Sequence, residues 1–338
     1  MEPDLWYLYR HMFRSRLFEQ VVQVFWEQGL ISFDMHMGYG EEAIAAGIVC
    51  QMVDGDAMAL DHRGTPPLLM RGIEPTLILR ELMGRPDGLC GGLGGHMHLY
   101  SREHLCASSG IVGSSGPAGA GFALAAQYLR PGTLAIAFFG EGAINQGMLL
   151  ESMNLAVAWQ LPLLFVCKDD KWSISTRSAS VTGGELVERA RGFGLHTVEV
   201  DGADVEAVWH SAGEAMKRTR DGGGPTFLHA HCVHLEGHHL GFFLFRVGRD
   251  QIKEMIPLLG PLLRSATRRK GGSSRERIRS LTDIATRPRD AVKEQTQKEK
   301  DPLYRTRQKL ISDRDRLEAL EAEINVEIQD VMEVALED

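Results

Sequence analysis

Two acidic positions sit where apolar stretches end. LAIAFFGEGAINQG runs from Leu134 to Gly147 and carries Glu141 between Gly140 and Gly142. LPLLFVCKDDKW begins at Leu161 and closes on Lys168, Asp169, Asp170, Lys171 and Trp172. A carboxylate at the end of a buried strand is costly unless a charge meets it. Flanking glycines let backbone approach a ligand, and a following helix N-terminus offers N–H groups to phosphate. Magnesium is commonly held by one or two carboxylates together with phosphate oxygens. The pattern therefore points to a magnesium–diphosphate site beyond the carboxyl ends of two adjacent strands. The plainer reading, that Glu141 only caps the next helix, does not use its two glycines or Asp170.

These residues need a scaffold, and the hydrophobic pattern supplies one. Leu5, Leu8, Met12, Leu17, Val21, Val24 and Phe25 recur at helical spacing over residues 4–29. Gly38-Tyr39-Gly40 opens a helix with Glu41 and Glu42 in its first turn, where the dipole favours acids. A short strand is expected at 57–60, ending on Asp61-His62-Arg63-Gly64, and a helix near 75–83. GIVGSSGPAGAG, residues 110–121, leads into the small-residue helix FALAAQYL. Strand 134–139, a helix near 144–159 and strand 161–167 form a β–α–β unit with continuous apolar strands, as in a parallel sheet covered on both faces. A strand at 197–200, a helix at 204–219 and a strand at 226–233 follow. The expected class is α/β, a mostly parallel sheet with helices on both faces and a helical C-terminal extension. Residues 1–246 form the ligand-binding domain, and 247–338 a basic, partly flexible segment with an amphipathic helix at 303–336.

Composition narrows the partners. The chain has 338 residues and a formal net charge of −8, which argues against nucleic acid. Residues 264–309 hold fifteen Lys/Arg against six Asp/Glu, a local +9 whose default reading is solvated surface. Five scattered cysteines without a CxxC pair read as reduced thiols. No signal peptide or membrane span is recognisable, so a cytoplasmic location is expected. His229, His231, His234, His238 and His239 invite zinc, and His229 and His231 share a strand face. Without a Cys pair or HExxH beside them, the reading goes against it. Gly91-Gly92-x-Gly94-Gly95 lacks the Lys-Ser/Thr ending of a P-loop, so a tight turn is expected. A dinucleotide-binding reductase is disfavoured, because no GxGxxG follows the first strand.

Gly-acid-Gly, 26 intervening residues and a pair of short polar residues resemble the thiamine diphosphate motif. The run GEGAINQGMLLESMNLAVAWQLPLLFVCKDDKW is similar to the alpha subunit of the decarboxylating component of 2-oxo acid dehydrogenase complexes, a group with pyruvate, branched-chain and acetoin members. MHMGYGEEA, LDHRG, RELMGRPDGLCGGLGGHMHLY, SSGIVGSSGPAGAGFA and HLEGHH agree in the same order, over roughly residues 5–240. The resemblance implies the thiamine diphosphate-binding fold, with thiamine diphosphate and Mg as cofactors. It implies Glu141, Asp170 and the Trp172 carbonyl as metal ligands, and backbone contacts from Gly142 and Ala143 to the diphosphate. His62 and Arg63 would hold phosphate oxygens, Gly110 and Val112 would face the aminopyrimidine, and His238 and His36 would line the reacting centre, with His62 beside them. The implied activity is decarboxylation or C–C cleavage with acyl transfer to a lipoyl group. The implied partners are a beta subunit, in an α2β2 heterotetramer, and the lipoyl domain of an acyltransferase core. In the family the glutamate that activates the aminopyrimidine comes from the beta subunit, so this chain alone is expected to be inactive.

Four features depart from the pattern. Glu141 replaces the usual Asp, Asp169-Asp170 replaces Asn-Asn, and Thr65 stands where the pyruvate branch has a histidine. After Gly237-His238-His239 the usual acid is missing and GFFLF appears. Magnesium demands tight octahedral geometry, so these changes raise the alternative of a non-catalytic paralogue with a degenerate cofactor site.

Overall fold

The computed structural model describes residues 2–241, apart from 33 and 175, and residues 292–337. The GFFLF run beyond Gly241 and most of the basic segment lie outside the described residues.

A seven-stranded sheet forms the centre. Its strands are β1 (Ala57–Leu60), β2 (Tyr100–Ser101), β3 (Cys106–Ser108), β4 (Ala135–Gly140), β5 (Leu163–Asp169), β8 (His196–Asp201) and β9 (Thr226–His231), in the order β2-β3-β1-β4-β5-β9-β8. All neighbours pair in parallel except β2 with β3. A separate hairpin joins β6 (Trp172–Ser173) and β7 (Thr176–Arg177).

Strand alternation divides the core in two. On one face Ile136, Phe138, Leu164, Val166 and Leu228 pack with α1 (Leu5–Glu27), α2 (Glu42–Val49), α3 (Thr65–Met70), α4 (Pro75–Leu82) and α8 (Val205–Arg220). On the other, Ala135, Ala137, Phe139, Leu163, Phe165 and Phe227 meet α5 (Ser115–Leu129), α6 (Gly147–Ala158) and α7 (Leu186–Gly192). Apolar residues are needed on both sides, and the strands accordingly read as unbroken hydrophobic runs.

Three expectations are corrected. The small-residue helix starts at Ser115 rather than after the glycines. A Cβ on Gly116 would lie 2.6 Å from Leu149 Cδ1, and one on Gly119 2.8 Å from the Ala137 Cβ, so these glycines serve close packing rather than a loop. The helix after Gly140-Glu141-Gly142 starts at Gly147, because a 3-10 turn over Glu141–Asn145 comes first. The stripe at 303–336 is two helices, α9 (Pro302–Leu310) and α10 (Arg314–Leu336). Asp313 caps α10 by accepting the Arg316 N–H, and an apolar period continuous from Leu310 to Leu317 hides that cap. α10 packs on α1 and α4, with Leu317, Ile324 and Ile328 buried in the main core.

Candidate active site

The carboxyl ends of β1, β4 and β5 open into one cavity of about 330 Å³. Each residue singled out from the sequence lines it: His36, His62, Arg63, Gly110, Val112, Glu141, Gly142, Ala143, Asp170, Trp172 and His238. They come from six separate stretches of chain, so only the fold unites them.

The acidic end follows from register. β4 and β5 are neighbours with Gly140 paired to Lys168, so Glu141 and Asp170 leave adjacent strand ends at nearly the same level. Both carboxylates are buried, at 3% and 5% exposure. Burial, and then the negative charge of Asp170, push the Glu141 carboxyl above the usual range, although the Ser178 hydroxyl donates to it. A buried carboxyl raised by burial and by a neighbouring carboxylate is a place where a cation would be favoured. Asp170 is fixed on its other side: Oδ1 accepts the Trp172 N–H at 3.2 Å, and His234 Nδ1 lies 2.8 Å from Oδ2. A Cβ on Gly142 would stand 2.1 Å from Ser173 Oγ, so only glycine keeps this wall open.

The basic end centres on Arg63, 2% exposed. Its guanidinium donates to the carbonyls of Met37 and His238, the latter at 2.7 Å. His36 sits among His62, His238 and His96, with ring centroids 4.6, 4.9 and 5.4 Å away. Burial first, then the Arg63 charge, lowers all four, His36 and His96 to about 3. The imidazoles are therefore neutral at pH 7, each offering one N–H and one acceptor nitrogen to a ligand.

Between the two ends runs a buried ionic chain that sequence reading missed. Glu41 Oε2 accepts from Lys168 Nζ at 2.6 Å, Glu41 Oε1 lies 2.8 Å from His234 Nε2, and Lys168 also reaches Asp61 at 3.0 Å. Burial alone would raise the Glu41 carboxyl, but Lys168, His234 and Arg63 outweigh it and hold it low. Glu41 reads in sequence as a helix-dipole residue, and Lys168 as a flank of the acidic pair. Gln295 was invisible for a different reason: it arrives from a distant charged stretch to donate to the Asp170 carbonyl at 2.8 Å and accept the His234 N–H at 2.6 Å.

The glycine-rich loop is a turn, as expected, and its anion is internal. Glu81, fully buried, accepts the N–H groups of Cys90, Gly92, Gly94 and Gly95.

The cavity's chemistry fits a magnesium–diphosphate with a heteroaromatic head. Carboxylates flank a side-chain-free backbone at one end, and the His62 Nε2, Ser115 Oγ and Trp172 Nε1 atoms of its lining are buried without a hydrogen-bond partner among the described residues. Such groups call for a ligand.

Comparison with known proteins agrees. A sequence profile of the dehydrogenase E1 component matches residues 9–241. The alpha subunit of acetoin:2,6-dichlorophenolindophenol oxidoreductase from Cupriavidus necator is 39% identical over 236 residues, 69% of this chain and 71% of the relative. Its Bacillus subtilis counterpart is 34% identical over 242 residues, covering 71% and 72%. The pyruvate dehydrogenase E1 component subunit alpha of Zymomonas mobilis is 34% identical over 264 residues, 77% and 74%. These are names of enzyme subunits and do not favour the non-catalytic paralogue. The family implies thiamine diphosphate, and the designation alpha implies a beta partner. With its parallel sheet, its strand-end cavity and this match over most of its length, the chain belongs to the dehydrogenase E1 component family.

Proposed function

We propose that this chain is the alpha subunit of a thiamine diphosphate-dependent acetoin or 2-oxo acid dehydrogenase, active only with its beta subunit. Glu141, Asp170 and the Trp172 carbonyl hold Mg, and the Gly142 and Ala143 N–H groups meet the diphosphate. Arg63 and His62 hold phosphate oxygens, while Gly110 and Val112 face the aminopyrimidine. Thiamine diphosphate supplies the carbanion and electron sink when bound. The chain's own part is orientation and proton handling: His36 and His238, kept neutral by burial and by Arg63, give or accept a proton at the substrate oxygen. The product acyl group passes to a lipoyl domain of an acyltransferase core.

The observation that carries this reading is the cavity itself, with paired carboxylates at one end and neutral histidines about Arg63 at the other. Its mouth supports a subunit partner, since Ile111 and Val112 are 61% and 56% exposed beside the cofactor wall. The test is reconstitution with the beta subunit, thiamine diphosphate and Mg, following reduction of 2,6-dichlorophenolindophenol with acetoin or pyruvate. Turnover by the assembled pair and none by this chain alone is expected. An assembled, cofactor-loaded pair that turns over neither substrate contradicts the proposal.

A further inference from the structure

A second cluster of metal-ligating side chains lies in a cavity of about 440 Å³ on the far side of Glu141, which it shares with the first; Asp169, Glu199, His229 and His231 line it together with Lys171 and Arg177. The sheet register assembles it. On neighbouring parallel strands Asp169 pairs with His231, and Glu199 with His229. The two histidines are two residues apart on β9 and so share a face, with ring centroids 4.4 Å apart.

Asp169 Oδ2 lies 2.9 Å from His229 Nε2 and 3.8 Å from His231 Nδ1. Glu199 stands behind both rings, with Oε1 3.0 Å from His231 Nε2 and Oε2 3.9 Å from His229 Nδ1. His229 is 5% exposed, and its Nδ1 has no hydrogen-bond partner among the described residues.

We propose that Asp169, His229 and His231 bind a divalent transition metal of the zinc class, with Glu199 as the outer carboxylate that holds both rings in place. One ligand atom from each lies within 4.8 Å of the others. Tetrahedral zinc with bonds of about 2.0–2.1 Å sets its donors about 3.3 Å apart. The 2.9 and 3.8 Å separations bracket that value. Two imidazoles and one carboxylate suit zinc and its transition-metal neighbours rather than magnesium. Asp169 is already oriented, because its Oδ1 accepts the Lys171 N–H at 2.8 Å.

Nδ1 of His229 is buried 3.9 Å from the Glu199 carboxylate, beyond hydrogen-bond range, and has no other partner among the described residues. With the metal on Nε2, the ring proton sits on Nδ1 and faces Glu199 as a donor. Carboxylate–histidine–metal relays of that kind fix the tautomer of metal ligands. The fourth coordination position opens into the cavity, where Lys171 and Arg177 favour water or a small anion. The sequence reading went against zinc because it looked for spacing within one segment; here β5 and β8 supply the carboxylates.

The experiment is titration of the purified full-length chain with cobalt(II), without thiamine diphosphate, followed by visible d–d absorption and by displacement with zinc. One equivalent in a low-symmetry nitrogen–oxygen site is expected, absent in His231→Ala and about 10–100-fold weaker in Glu199→Gln. The His231 side chain is 39% exposed, so its removal leaves the core intact, and circular dichroism verifies the fold. Asp170→Asn, at a residue that lines the first cavity and not this one, is expected to keep this binding, which separates the site from the proposed magnesium site. No cobalt binding by the wild-type chain, or equal binding by His231→Ala, overturns the proposal.

Discussion

Replacing Glu81 by Gln tests whether a buried carboxylate organises the glycine-rich loop. Oε2 accepts from Cys90 and Gly92 at 2.7 and 2.8 Å, and Oε1 from Gly94 and Gly95 at 2.7 and 3.1 Å. Gly91, Gly92 and Gly95 hold φ at +72°, +74° and +57°, the left-handed backbone that turns these N–H groups inward. A glutamine keeps one acceptor oxygen and turns its amide nitrogen toward the remaining two donors. Each buried N–H left without a partner costs ~1–3 kcal/mol. Two of them, less the relief from burying a charge, give a loss of about 3 kcal/mol. For a chain of 338 residues, with an unfolding entropy of about 0.7 kcal/mol/K, that is a fall in Tm of roughly 4 °C. The loop leads to Met97, which lines the cavity and against whose sulfur a Cβ on Gly110 would lie 2.7 Å away, so the affinity for thiamine diphosphate should fall too. Scanning calorimetry of Glu81→Gln beside exposed Glu103→Gln provides the comparison. A loss below about 1 kcal/mol would refute the reasoning and leave the glycines alone responsible for the loop.

Three other outcomes follow from the same physics. Glu19 is buried, and burial pushes its carboxyl up to about 8 despite the Gly38 N–H donating to it. The unfolded chain releases this proton near pH 4.5 and the folded chain near 8, so its stabilising contribution is complete below 4.5 and is lost as pH rises towards 8. Urea midpoints at several pH values should show Glu19→Gln removing about 1.4 kcal/mol per pH unit of that decline; parallel slopes for the two proteins would sink the claim. Gly142→Ala pushes a methyl group into Ser173 Oγ, with a Cβ contact of 2.1 Å. Fluorescence titration should find thiamine diphosphate binding weakened by about tenfold with Tm little changed, about 1.4 kcal/mol of binding energy, whereas unchanged affinity would mean that the wall simply yields. Ile324→Ala in α10 empties a fully buried core position and should cost about 2–5 kcal/mol, measured as a shift of the main unfolding transition. A small separate transition moving alone would mean that the C-terminal helix folds apart from the sheet.

Much of the sheet is legible in the sequence because parallel strands covered on both faces must be apolar throughout, and β1, β4 and β5 carry such runs, whereas edge strand β8 alternates and buries only Val200. Glu141 and Asp170 could be paired in advance because each directly follows a strand of one β–α–β unit, where the topology dictates adjacency. Residues that reach the site from elsewhere left no such trace. Glu41 and Lys168 join only when α2 meets the end of β5, and Gln295 approaches from a segment whose composition resembles solvated surface. α5 starts earlier than its sequence suggests, because glycines that permit close packing look locally like a loop. The break before α10 escaped notice because a single Asp313 cap is weaker than a continuous apolar stripe. The metal-ligating face of β9 was discounted because its carboxylates belong to neighbouring strands.

The most direct measurement is calorimetric titration of thiamine diphosphate, with and without Mg, into the wild-type chain assembled with its beta subunit, and into Glu141→Ala and Asp170→Ala assemblies. Heat that requires Mg in the wild type and falls at least tenfold in affinity in both variants, about 1.4 kcal/mol each, is the predicted result. Mg-dependent binding of undiminished affinity in either variant would contradict a metal held between those two strand ends.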